Sequence, residues 1–183
     1  GYTYISGSSV MTDYPITVGA YQTTKSDYSD AVVTKLNSIG ALVYSTYIGG
    51  NQSDEATTLS VDGGGNAYIT GTSYGSGSTY PITAGAWSNT SSYPYLAFIT
   101  KINPAGNGLI YSTFLPIGSY NIFNATVDKN GCLYFVEGRA ALPAGDGDRR
   151  LDHRSRLRAA GAQGDEPAPQ SGHRRARRHR APE

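Results

Sequence analysis

Four acidic residues stand where they could do chemistry: the adjacent Asp54 and Glu55, and Asp62 and Asp128, each of which follows a Val just ahead of a Gly-containing turn. Two carboxyl groups facing each other across a cleft are the equipment of glycoside hydrolysis. For that, Asp54 or Glu55 would need a further acid opposite. Oxygen ligands on Gly-rich turns also suit calcium, which makes Asp62 and Asp128 the weak metal candidates. Their spacing is unlike an EF-hand, and they occupy the same turn in successive units. There a carboxylate accepts backbone N–H bonds and needs no ion. Nucleophilic catalysis is poorly equipped. The first histidine is His153, so a Ser-His-Asp or Cys-His arrangement would have to borrow from the far end of the chain. Zinc fails for the same reason. Cys132 is the single cysteine, so no internal disulfide can form. The expectation is a chain with no catalytic residue, no cofactor and no metal.

Aromatic residues offer binding rather than catalysis. Tyrosine rings can stack on sugars while their hydroxyls hydrogen-bond, and the chain has 15 of them with one tryptophan. Tyr44 and Tyr111, Tyr68 and Tyr134, and Tyr14 and Tyr80 recur at fixed places, which argues for packing. Tyr21 and Trp87 also correspond, but lie in a loop, and they are the candidate ligand-binding pair.

The elements that must position these residues are written twice at a spacing of about 66 residues. YPITVGAYQT (14–23) returns as YPITAGAWSN (80–89), AVVTKLN (31–37) as AFITKIN (97–103), LVYSTYIGG (42–50) as LIYSTFLPIG (109–118), and VDGGGNAYITG (61–71) as VDKNGCLYFVEG (127–138). Within the complete unit, ATTLSVD alternates as a half-buried strand does. NAYITGTS, AFITKIN and GLIYSTFL carry the aromatic and β-branched residues that suit pleated surfaces. Asn103-Pro104-Ala105-Gly106 and Asn37-Ser38-Ile39-Gly40 are hairpin turns between the third and fourth strands. Tandem four-stranded antiparallel units of this length predict the blades of an all-β propeller. Residues 2–50 would be three strands of one blade, 54–115 a full blade, and 122–137 the start of a third.

Together, YPITxGAY, TKLN, LVYSTYIGG and VDGGGNAYITG resemble the bacterial β-propeller repeat known as SBBP, over residues 1–138. In the third unit the match weakens, because Gly118-Ser119-Tyr120-Asn121-Ile122-Phe123 stands where Asn51-Gln52-Ser53-Asp54-Glu55-Ala56 stood and the acidic pair is missing. The resemblance implies a large exported or surface-associated bacterial protein, without catalysis, serving as scaffold or interaction platform. An alternative is a carbohydrate-binding module using loop aromatics; a propeller hydrolase or lyase ranks third. The expected partners are the remaining blades of the same propeller, with protein or glycan beyond them.

After Gly138 the text changes. All 11 arginines and all three histidines lie in residues 139–183, and all 15 tyrosines and four lysines precede them. Residues 1–138 carry 4 Lys against 8 acids, net −4, and the remainder carries 11 Arg against 6, net +5. With no Val, Ile, Phe, Tyr, Trp or Thr, this tail is expected to supply neither strand nor core and to be disordered or translated out of frame. HRRARRHR (173–180) could neutralise phosphates, but a nucleic-acid role ranks last of the three readings. The first residues, GYTYISG, start inside a unit, so the chain is expected to be a fragment. It shows no signal peptide and no apolar run of about 20 residues that could span a membrane. An extracellular or cell-surface location is therefore expected from the resemblance alone.

Overall fold

A computed structural model describes residues 1–89, 94–115, 120–139 and 155–158. They form β1 (Thr3–Ser9), β2 (Asp30–Leu36), β3 (Leu42–Ile48), β4 (Asp54–Val61), β5 (Ala67–Tyr74), β6 (Tyr95–Ile102), β7 (Leu109–Phe114), β8 (Tyr120–Val127), β9 (Cys132–Arg139) and β10 (Ser155–Arg158). Pairing is antiparallel throughout, in three sheets ordered β1-β2-β3, β4-β5-β6-β7 and β10-β9-β8. The fold is all-β, a succession of blades of an incomplete β-propeller, with one four-stranded blade between two three-stranded ones. Among the described residues no helix is long and apolar enough to cross a membrane.

Strands β2, β5 and β6 are buried along nearly their whole length. Of these, β5 and β6 serve two cores, and the two-residue period of a strand allots the side chains. Ala67, Ile69, Leu96, Phe98 and Ile102 pack with Ala31, Val33, Tyr44 and Ile48 of the first sheet. Tyr68, Ala97 and Ile99 pack with Ile122, Ala125, Leu133 and Phe135 of the third. The full blade is thus the filling between its neighbours, which is how a repeat gains a core that one unit could not build.

The recurring YPIT, TK and YST motifs meet in space. The Tyr14 hydroxyl shares a hydrogen bond with Thr34 Oγ1 (3.1 Å), which shares one with Ser45 Oγ (2.8 Å). Tyr80, Thr100 and Ser112 repeat the chain at 2.9 and 2.8 Å. Backbone bonds lay the same loop against the outermost strand: Thr17 N donates to Ser45 O and Thr83 N to Ser112 O, both at 3.1 Å. The long excursion after β1 or β5 therefore covers the free edge of its own blade, where an unpaired strand would otherwise invite another chain.

Two sequence expectations change. Ser155–Arg158 pairs with β9, Leu157 opposite Leu133 and Arg156 opposite Tyr134, so the Arg-rich segment does supply a strand. Strand addition to an open edge uses backbone N–H and C=O groups, which any composition provides. The third unit keeps the register of the second, which moves the counterpart of the acidic pair by one residue. Tyr120 lies opposite Arg139 as Asp54 lies opposite Ser73, so the acidic pair is replaced by Tyr120-Asn121 rather than by Asn121-Ile122. A β-bulge between Ile122 and Asn124, matching that between Ala56 and Thr58, keeps the two strands in step.

Candidate functional site

Chemistry-bearing residues gather at three places along the blade junctions. The first is the turn between β4 and β5. Asp62 Oδ1 accepts from the Gly64 and Asn66 backbone N–H groups, both at 3.0 Å. Its Oδ2 accepts from the Asn66 amide (2.8 Å) and the Tyr68 hydroxyl (3.1 Å), with Lys101 Nζ at 3.2 Å. Burial pushes the Asp62 carboxyl up, but the hydrogen bonds from Asn66, Lys101 and Tyr68 outweigh it and hold the group below its ordinary range. Asp128 is built alike, accepting from Asn130 N and Cys132 N at 2.9 Å and from the Tyr134 hydroxyl at 3.2 Å. These carboxylates have their acceptor sites filled by their own chain. Among the described residues no cluster of three or more His, Cys, Asp or Glu could hold a metal ion.

The same turns join blades. Tyr4 donates to Gly65 O at 3.2 Å and Tyr68 to Gly131 O at 3.4 Å, each reaching from a second strand to the next blade's turn. Beside them run cations. Lys101 Nζ lies 4.6 Å from the centre of the Tyr68 ring. Lys35, its counterpart, lies 4.2 Å from the Tyr2 ring and donates to Pro104 O at 3.2 Å. At the hairpin, Gly106 has φ +73°, and a Cβ there would run into the Tyr44 ring. The glycine is required by conformation and by closeness of approach alike.

The second place is the acidic pair, which the structure splits. Asp54 is fully buried, with Oδ2 accepting from Gly50 N at 2.8 Å and Oδ1 without a partner. Glu55, the next residue along β4, points outward and accepts from the Tyr74 hydroxyl at 3.1 Å. Successive strand residues face opposite ways, so the two carboxyl groups do not converge. Asp54 instead feels Asp30, a fully buried acid that sequence reasoning passed over. Asp30 Oδ2 accepts from Gln22 Nε2 (2.7 Å) and Ser26 N (3.0 Å), and its Oδ1 also has no partner. Burial raises Asp54 to about 6, with Asp30 adding to the rise; burial raises Asp30 as well. An aspartate opening the otherwise apolar run Ala31-Val32-Val33 was the available signal, but its counterpart is Leu96, so a comparison of repeats discards it.

The third place is the loop pair Tyr21 and Trp87, which do not stay equivalent. Tyr21 packs against the core between the first two blades, and its N–H donates to Gly106 O at 2.9 Å. Burial raises its phenol. Trp87 is 59 % exposed. The segment one repeat beyond Gly106 lies outside the described residues. Of the two aromatic candidates, only Trp87 presents an open ring.

A family model described as SBBP, beta-propeller repeat, matches residues 43–77. The matched span begins in β3 and ends just past β5, so it crosses the junction carrying Asp54, Asp62 and Tyr68. No curated protein matches the chain.

Proposed function

The chain is an SBBP-type beta-propeller repeat protein, and from that premise we propose that its work is architectural: a non-enzymatic scaffold in a secreted or surface-exposed bacterial protein. The observation that carries this reading is where the repeated polar groups go. Tyr4 to Gly65 and Tyr68 to Gly131 bind blade to blade. Thr57 Oγ1 donates to Ile122 O at 3.0 Å, and Val127 N donates to Ser60 Oγ at 3.0 Å, doing the same between β4 and β8. Side chains that could have served a substrate are spent on holding neighbours. Partners of this module are then further blades of its own kind.

A turnover screen with nitrophenyl glycosides and polysaccharide lyase substrates tests the non-enzymatic part. The expected result is no activity, with Asp54→Asn altering stability alone. Turnover abolished by Asp54→Asn in a folded protein would replace the scaffold with a hydrolase. Protease shaving of intact cells tests location, and protection of the chain until lysis would overturn the surface assignment.

A further inference from the structure

Three tyrosines that the repeat does not demand come together at one groove. By strand register, Tyr95 falls where the first unit has Ser29, Tyr74 where it has Val10, and Tyr28 falls where the second unit has Pro94. Each is a departure from the pattern that explains Tyr44, Tyr68 and Tyr80 as packing residues. They line a groove of about 360 Å³ with Gln52 and Pro94, a volume within the range of small-ligand sites.

The groove is built from both blades. Tyr28 comes from the loop before β2, Gln52 from the link between β3 and β4, and Tyr74 and Tyr95 from the paired ends of β5 and β6. Backbone bonds hold these pieces: Tyr74 N donates to Ser53 O at 2.8 Å and Gly75 N to Pro94 O at 2.6 Å. Gly75 has φ +100°, and a Cβ there would come 2.6 Å from the Gln52 amide carbon, so glycine lets that amide lie along the floor. Tyr74 and Tyr95 meet edge to face, with centroids 5.6 Å apart and planes at 88°. The Tyr74 hydroxyl is committed to Glu55. Tyr28 is 64 % and Tyr95 49 % exposed, and neither hydroxyl nor the Gln52 amide bonds another described residue.

From this geometry we infer a glycan-binding site, with hexose rings stacked on Tyr28 and Tyr95 and their hydroxyls bonded to the Gln52 amide and the free phenols. Sugar rings present C–H faces to an aromatic plane and a rim of hydroxyls to polar groups, and the groove supplies both kinds of surface. A proline-rich peptide also seeks aromatic-lined grooves, but its prolines lack N–H groups and offer carbonyl acceptors alone, whereas sugar hydroxyls, donors and acceptors at once, match both ends of the Gln52 amide and the two phenols. The site differs from the loop aromatics: Trp87 takes no part in it. It also stands apart from the scaffold reading, since a scaffold can carry it or lack it.

Isothermal titration of the full chain with cellotetraose, chitotetraose and mannotetraose tests it. At least one is expected to bind with a dissociation constant of about 1 mM or tighter, with Tyr28→Ala and Tyr95→Ala each weakening it about tenfold. Trp87→Ala is expected to leave affinity unchanged, and the far-ultraviolet dichroism of every variant to match the parent. Failure of all three sugars overturns the site. So does sugar binding indifferent to Tyr28→Ala and Tyr95→Ala, and so does a proline-rich decapeptide that binds with the same tyrosine dependence in their place.

Discussion

The corner where β3 leaves the first blade and the corner where β7 leaves the second share one backbone and differ in what fills it. In the first, Gln22 N donates to Thr46 Oγ1 (3.0 Å) and Tyr47 N to Gln22 O (3.1 Å); in the second, Ser88 N donates to Thr113 Oγ1 (3.1 Å) and Phe114 N to Ser88 O (3.1 Å). Onto that frame the first corner adds a polar cluster, in which the Gln22 amide bridges Asp30 Oδ2 and Gly49 N. The second has Ser88 for Gln22 and Leu96 for Asp30, and Leu96 joins the apolar core. What the repeat preserves is the set of bonds made through backbone and hydroxyl groups. Filling is free to change sign, from buried acid to leucine, while that frame of bonds stays in place.

The largest break in that comparison is Leu96→Asp. The acid would be buried in an apolar core, with serine rather than glutamine at the position of its would-be donor. An uncompensated buried carboxylate costs about 3–5 kcal/mol, so urea unfolding should show a loss of that size, and the reciprocal Asp30→Leu a much smaller one. A small effect for Leu96→Asp would mean that the second corner can recruit donors that the comparison denies it.

Next in size is the pH dependence of the polar corner. Asp54 is raised from 3.8 unfolded to about 6 folded, so between those values the folded state holds a proton that the unfolded state has released. Its contribution to stability is present below pH 4 and is lost as pH rises to about 6, by about 3 kcal/mol in all. Asp62, held below its ordinary value, acts the other way, gaining stability as pH rises. Subtracting the stability curve of Asp54→Asn from that of the parent isolates the first effect. A flat difference between pH 4 and 6 would place Asp54 in a wetter or better-paired setting.

Most of the fold was legible because it rests on pattern. Alternation marked the strands, glycine and asparagine marked the hairpins, and tandem repetition implied blades. Each candidate residue needed information from a neighbouring unit. Tyr21 and Trp87 read alike, yet Tyr21 lies beneath the hairpin containing Gly106, while Trp87 is open. Asp54 or Glu55 called for a further acid opposite, and the acid that Asp54 feels, Asp30, stands where the next unit has Leu96. Tyr28, Tyr74 and Tyr95 were invisible as a group because 67 residues separate the first from the last and the groove exists only once two blades are docked. The misplaced counterpart of the acidic pair came from a one-residue change in spacing, 67 between β3 and β7 but 66 between β4 and β8, which leaves no signature in composition.

The smallest effect distinguishes the two tyrosine clasps. Tyr4 and Tyr68 occupy the same position and reach the same carbonyl one unit on, but the single Tyr68 proton is shared with the nearer Asp62 carboxylate (3.1 against 3.4 Å), which Lys101 approaches at 3.2 Å. A neutral bond to a partly buried carbonyl contributes about 1 kcal/mol or less, whereas a bond to a charged partner contributes about 1.5–3 kcal/mol. Tyr4→Phe should therefore cost about 0.5 kcal/mol and Tyr68→Phe about 2 kcal/mol, read as midpoint shifts in urea at constant slope. The gap should close in Asp62→Asn, where both tyrosines are left with neutral acceptors. Equal losses in the parent background would mean that the blade-to-blade carbonyl bond alone holds the junction, with the Asp62 turn serving only its own hairpin.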